Sequence, residues 1–429
     1  MPAYTLNADL AATAAPPVPL ARAWAATFPG KATHAEAREL PLLNLAQGVP
    51  GHLPSEALLA RMQQEAGREP AAAAGYGGVF GAPELRKALA ADVRQRYGGD
   101  CAEDDVAITA GANLAAAVAF QAVARRGDAV VLPTPWYFNH EMTLSSLGVH
   151  AVPLPTEAPS YLPSPAALRK LLASRRSDSA PAIRALALVT PNNPTGAIYP
   201  PELLREFASL CREESIALIL DETYRDFLLD DAKEPARPHG LFEDADWRDT
   251  LMHIHSYSKA YAIPGHRLGA LIASPELLAA EGEFGPVAKA LDNLQICPPR
   301  TDTQRAVAWA MQAPEHVSWR LNKARELAER RTLFYELMRP LEELGWRVES
   351  AGAYYAYVAH PWSGTPSEVV AEQLAARVGV VVLPGAFFSP RGSTEDAAQR
   401  LRVSIANVDE ELLRTLPQRL QLLKGVHLQ

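Results

Sequence analysis

Between residues 106 and 220 the chain repeats one pattern. A run of four to six mostly apolar residues is followed by a short polar or Gly/Pro-containing break, then by a longer amphipathic segment. The runs at 106–109, 129–132, 149–153, 184–189 and 216–220 predict strands. The segments at 113–126, 138–147, 164–174 and 201–214 predict helices. Short apolar strands separated by amphipathic helices are βαβ units, stacked on a mainly parallel sheet with both faces covered. Two further apolar runs, 251–254 and 268–273, flank a polar stretch and complete that sheet.

Upstream, residues 42–50 read as a short strand running into a Gly/Pro turn. Ser55 is placed to cap a helix through about Glu65, with Glu56 in its first turn. Residues 71–81 are small and glycine-rich and carry Tyr76 and Phe80, and Pro83 then opens a helix to Tyr97. From Thr303 the pattern turns helical, and residues 314–344 are long enough to bridge two domains. Strands at 346–348, 354–358, 380–383 and 401–405 with a helix at 367–378 follow. The fold class expected is α/β, a large domain with a mainly parallel sheet flanked by helices, plus a smaller α+β domain.

Composition narrows the class. A chain of 429 residues divides into two or three domains, and 48% hydrophobic with 21% charged residues describes an ordinary globular protein. The net charge of −8 argues against a nucleic-acid partner and suits a cytoplasmic enzyme. Cys101, Cys211 and Cys297 lie far apart with no CxxC spacing, which fits a reducing compartment. The first twenty residues lack basic residues ahead of an apolar core, so no secretory signal is expected, and no run of eighteen apolar residues calls for a membrane. The Ala/Pro-rich segment 11–19 reads as a flexible or extended arm. His253 and His255 alternate on a strand without further ligands, so they read as core and no metal is expected. No GxGxxG follows the first strand, which disfavours a dinucleotide.

In an open α/β sheet, ligands bind outside the carboxyl ends of the strands. Gly111, Ala112 and Asn113 follow the first of them, as a tight turn or as a phosphate nest at a helix N-terminus. Trp136 and Tyr137 follow the second, as core packing or as an aromatic stacked on a planar ring. Asn193 stands in a loop stiffened by Pro191, Pro194 and Gly196. Asp221 ends an apolar strand, a costly position for a carboxylate unless a cation pairs with it, and Tyr224 lies three residues on. The polar stretch holds Ser256, Ser258 and Lys259, with Arg267 eight residues after the lysine. By itself it is either an exposed polar loop or an amine, two hydroxyls and a guanidinium around one small anion. Together the loops offer a phosphate nest, a stacking ring, a hydroxyl donor, a pyridinium partner and a Schiff-base lysine, which is a kit for pyridoxal 5'-phosphate.

These residues resemble the class I/II aminotransferase family of fold type I pyridoxal-phosphate enzymes, over most of residues 42–408. The most specific motifs are Asn193-Pro194-Thr195-Gly196, Asp221-Glu222-Thr223-Tyr224, Ser256-Tyr257-Ser258-Lys259 and Arg267. Weaker ones are Tyr76 with residues 81–86, residues 133–137, and Leu401-Arg402-Val403-Ser404. The resemblance implies Lys259 as the Schiff-base lysine, Asp221 as partner of the pyridine nitrogen, Tyr224 and Asn193 as donors to the ring oxygen O3′, and Tyr137 stacked on the ring. It implies Ser256, Arg267, the backbone of Gly111, Ala112 and Asn113, and less strongly Ser258, as phosphate ligands. Arg402 would clamp the substrate α-carboxylate near Gly48 and Asn193, and Tyr76 would reach the second subunit of a homodimer with shared active sites.

The implied activity is transfer of an amino group between an L-amino acid and a 2-oxo acid, in amino-acid biosynthesis and metabolism. A lyase similar to aminocyclopropane-carboxylate synthase, which residues 133–137 also resemble, or an oxidase would share the same kit. Relatives that act on dicarboxylates carry an arginine shortly before a Pro-Pro pair. Here Pro298-Pro299 is preceded by Asp292 and no nearby arginine, with Arg300 following. The implied division is an arm at 1–40, a small domain from 41–54 and 315–429, and a large cofactor domain at 55–314.

Overall fold

A computed structural model describes residues 5, 7–32, 35–70, 74–175, 180–230, 234–280, 283–392 and 395–427. The first residues of the expected arm and residues 71–73 of the glycine-rich segment therefore lie outside the described residues.

The strands arise where apolar runs are flanked by turn residues. Leaving aside two short two-stranded ribbons, in chain order they are β1 (Leu43–Asn44), β2 (Val106–Thr109), β3 (Ala129–Thr134), β4 (His150–Pro155), β5 (Ile183–Val189), β6 (Ala217–Asp221), β7 (Leu251–Ser256) and β8 (Gly269–Ile272). Then come β9 (Arg347–Gly352), β10 (Tyr355–Ala359), β11 (Val380–Val381), β12 (Leu383–Pro384) and β13 (Arg400–Ser404). Seven of them form one sheet in the order β2-β8-β7-β6-β5-β3-β4. Every pairing in it is parallel except those made by β8, which runs antiparallel to β2 and β7. All residues of β2, β7 and β8 are buried, as a sheet covered on both faces requires.

Helices begin where the sequence supplies caps. Ser55 accepts from the Leu58 amide ahead of helix Glu56–Arg68, and Ser164 from Ala167 ahead of Pro165–Ser174. Proline occupies the first position of Pro83–Tyr97, Pro201–Glu213 and Pro314–Met338, where its missing N–H forfeits no helical bond. Pro314–Met338 leads from the large sheet to a four-stranded antiparallel sheet ordered β9-β10-β13-β12. β1 pairs in parallel with β11, with Leu43 opposite Val380, which ties the early chain to its C-terminal part.

One expectation needs correction. The segment read as a flexible or extended arm is partly helical, at Ala8–Ala12 and Pro17–Ala25. Ala21 and Trp24 are buried, and the second helix packs on Ser367–Val378. Two prolines in its first turn are compatible with a helix start, so the Ala/Pro-rich composition did not preclude it. No helix among the described residues is long and apolar enough to cross a membrane.

Candidate active site

The carboxyl ends of the large sheet converge by register. Val189 sits opposite Asp221, Asp221 opposite Ile254, and Gly269 opposite both Ser256 and Thr109. The loops that leave these ends enclose a cavity of about 130 Å³ lined by Ala112, Asn113, Tyr137, Asp221, Tyr224, Ser256, Ser258, Lys259 and Arg267, with Val189 and Thr223. Nine positions singled out in the sequence thus meet in one place.

At one end the cavity is cationic. Helix Ala112–Val123 starts there, and its cap residue Gly111 supplies no side-chain bond to the free amides. Gly111 has φ +88°, and a Cβ there would overlap the Arg267 guanidinium, so glycine permits both the turn and the approach of the arginine. Arg267 donates to the Pro264 carbonyl at 3.0 Å and has no carboxylate partner among the described residues. Open helix amides, two serines and an arginine without a counter-ion make an anion site.

At the other end stands a buried anion. Asp221 is 4% exposed; its Oδ1 accepts from the Thr223 amide at 3.0 Å and hydroxyl at 2.7 Å, and its Oδ2 lies 3.2 Å from His140 Nε2. Burial opposes its charge, but the His140 contact and the Thr223 bonds outweigh burial and hold the carboxyl below its usual range. The loop behind it is anchored by a second buried network. Glu222 takes Tyr97 Oη at 2.6 Å, His253 Nε2 at 2.8 Å and His239 Nε2 at 3.2 Å, while Arg225 pairs with Asp92. His253 is therefore a partner of Glu222, and the described residues contain no cluster able to hold a metal.

Lys259 lies between the two ends. Its Nζ donates to the Gly48 carbonyl at 2.9 Å. Burial, then the positive charges of Arg402 and Arg267, lower its pKa to about 8, against a smaller opposing effect of Asp221. Asn193 is buried and its Nδ2 is 3.3 Å from Tyr224 Oη, while Asn193 Oδ1 has no partner. Arg402 is 2% exposed, donates to the Ala46 carbonyl beside Gly48, and leaves Nε without a partner.

The expected cofactor fits this donor set: a phosphate for the cationic end, a protonated ring nitrogen for Asp221, a ring oxygen for Tyr224, and a carbonyl for an amine whose pKa is lowered. Trp136 packs into the apolar core, while Tyr137 lines the cavity. Tyr76 is 84% exposed and outside the cavity. Asp292 is exposed on helix Pro286–Gln295, and Arg300 is held by Asp302 at 3.1 Å; neither lines the cavity. His140, Thr223, Tyr354 and Tyr355 were not singled out. Thr223, two residues after Asp221, was the one with a local signal, since Asp commonly hydrogen-bonds two residues on.

The sequence pattern described as aminotransferase class I and II matches residues 41–420. The aromatic aminotransferase ISS1 of Arabidopsis thaliana is 30% identical over 385 residues, covering 90% of this chain and 89% of that protein. The valine–pyruvate aminotransferase of Mycobacterium tuberculosis is 28% identical over 412 residues, covering 90% and 95%. A crystal structure of an aminotransferase from M. tuberculosis superposes with a TM-score of 0.81 at 28% identity, over 99% of this chain and 100% of that one.

Proposed function

The chain belongs to the class I and II aminotransferase family and is a pyridoxal-phosphate-dependent aminotransferase, and on that premise we propose that it moves an amino group between an L-amino acid and a 2-oxo acid through Lys259, in a homodimer with shared active sites. The relatives' names favour transfer over the lyase and oxidase alternatives. The observation that carries the residue assignment is the convergence of Lys259, Asp221, Tyr224 and Arg267 from separate loops on one cavity.

When bound, pyridoxal phosphate supplies a ring that withdraws electrons from the substrate Cα. The chain's residues do the rest. Ser256, Arg267 and the amides that open helix Ala112–Val123 hold the phosphate, with Ser258 beside them. Tyr137 would pack on the ring, and Asp221 would hold a proton on its nitrogen. Tyr224 and Asn193 donate at O3′. Arg402 grips the α-carboxylate near Gly48 and orients Cα toward the lysine. Lys259 would be the group that takes the substrate Cα proton and gives it back, as base and afterwards as acid.

The dimer and Tyr76 in the neighbouring site are supported by exposure. Asn113 and Arg267 are exposed at the phosphate end, and Tyr76, Leu294 and Ile296 are exposed large side chains elsewhere in the chain. The division into a small domain (41–54 with 315–429) and a large one (55–314) belongs to the same reading, supported by the two separate sheets. A cytoplasmic location is likewise supported by the scattered cysteines, and a role in amino-acid biosynthesis belongs to the same reading.

The test is the near-visible absorption of the purified holoenzyme. Adding one amino acid that serves as donor should convert the band and leave it converted until a 2-oxo acid is supplied. Continuous turnover with the amino acid alone would contradict transamination. A pH dependence follows from Lys259 as well. Only the neutral amine attacks a carbonyl, and its neutral fraction grows as pH rises through about 8. Cofactor uptake by the apoprotein, followed by stopped-flow absorbance, should accelerate up to about pH 8 and level off above it. A rate still climbing to the ordinary lysine range would show that burial does not lower this pKa.

A further inference from the structure

Three tyrosines stand together behind the cavity. Tyr224 lies edge-on to Tyr354 and Tyr355, with centroids 5.5 and 5.2 Å apart, and Tyr354 is tilted on Tyr355 at 4.9 Å. The Tyr355 hydroxyl lies 3.0 Å from that of Tyr224, and 3.5 Å from the Gly48 carbonyl that also receives Lys259. Its ring carries the Arg402 guanidinium at 5.0 Å. A Cβ on residue 48 would overlap the Tyr355 hydroxyl, so a tyrosine here depends on a glycine there.

Proton counting makes this contact consequential. A phenol has one proton to give and two lone pairs to fill. Asn193 Nδ2 already points at the Tyr224 oxygen from 3.3 Å. If Tyr224 gave its proton to Tyr355, none would remain for a ligand in the cavity that Tyr224 lines. If Tyr355 is the donor, the Tyr224 oxygen is filled from behind and its proton has only the cavity to enter. We propose that Tyr355 is a positioning residue: its hydroxyl donates to Tyr224 and thereby aims the Tyr224 proton at the ring oxygen of the cofactor.

The surroundings favour that direction. The charge of Arg402 beside Tyr355 makes its O–H the better donor. Tyr224 has tyrosines Tyr355, Tyr354 and Tyr137 around it and no cation among its leading influences, which makes it the better acceptor. Burial raises the pKa of both phenols; for Tyr355 the neighbouring Arg402 works against the rise, whereas Tyr224 goes well above its usual value. Both phenols therefore stay protonated at neutral pH, as the donor chain requires.

The inference rests on the proposed role of Tyr224, so its test separates the two. In the holoenzyme, loss of the Tyr355 hydroxyl should leave the ring oxygen with a weaker donor and the neighbouring proton held more strongly. Tyr355→Phe is expected to raise the pKa at which the near-visible band titrates by about half to one unit, the effect one neutral hydrogen bond supports. KM for the amino donor should stay within about threefold, because the ring under Arg402 is retained. Tyr224→Phe should raise the band pKa further, and adding Tyr355→Phe to it should change nothing more, since the second residue acts through the first. Tyr355→3-fluorotyrosine, a stronger donor of nearly the same shape, should move the pKa down and keeps the test open if the Phe variant folds poorly. A wild-type holoenzyme without a titrating band would overturn the cofactor assignments themselves. A wild-type band that ignores both Tyr355 variants, or shifts that add in the double variant, would overturn the role of Tyr355 alone.

Discussion

Lys259→Ala is expected to lower turnover by on the order of 10⁴-fold or more while leaving the fold intact. Two functions go with one amine: attachment of the cofactor, and transfer of the Cα proton, which alone contributes up to about 10⁴-fold. The structural loss is small. Lys259 Nζ makes one hydrogen bond, to the Gly48 carbonyl, and the Tyr354 hydroxyl stands 3.4 Å from the same oxygen. Stability should therefore change by no more than about 1 kcal/mol. The measurements are single-turnover kinetics with a good donor and thermal unfolding of the apoprotein. Turnover within tenfold of wild type would remove Lys259 from the chemistry.

Asp221→Ala should cost more in rate than in stability. The carboxylate is buried, and its removal leaves His140 Nε2 and the Thr223 hydroxyl without an acceptor, a loss of about 1–3 kcal/mol in folding. On the reaction the loss is electrostatic. Without a buried anion, nothing keeps the ring nitrogen protonated, and removing one such preorganised partner lowers rates by about 10²- to 10³-fold. That is about 3–4 kcal/mol on the barrier. Comparing kcat with the denaturant midpoint of the same variant separates the two effects. A folded variant with wild-type kinetics would refute the pyridinium role.

Much of this was legible without coordinates. Apolar runs of strand length between amphipathic segments gave the sheet almost strand for strand, because a sheet covered on both faces must be apolar throughout. Pro83 and Ser55 marked helix starts, since their chemistry acts within one turn. The site was legible for a related reason: its residues follow the strands directly, so the sheet's own register brings Asp221, Ser256 and Gly111 to one edge. Local composition misled once, at the N-terminal arm, where Pro17 and Pro19 begin a helix whose Ala21 and Trp24 find a surface to bury against.

His140, Tyr355 and the Glu222 network were another matter. Nothing near His140 in sequence announces a carboxylate, because His140 lies on a helix and its partner Asp221 ends a strand far along the chain. Tyr355 meets Tyr224 across 131 positions, and Glu222 gathers Tyr97, His239 and His253 from three segments.

The polar stretch around Lys259 shows where the division falls. Sequence alone determined which side chains sit beyond the strand ends, and from their types the cofactor they suit. Only the tertiary structure decided that the Lys259 amine lies on Gly48 between Arg402 and Arg267, with a pKa near 8. Residue identity and strand periodicity are local properties. Burial, the direction of a hydroxyl proton and the sum of nearby charges depend on distances between segments that folding alone brings together.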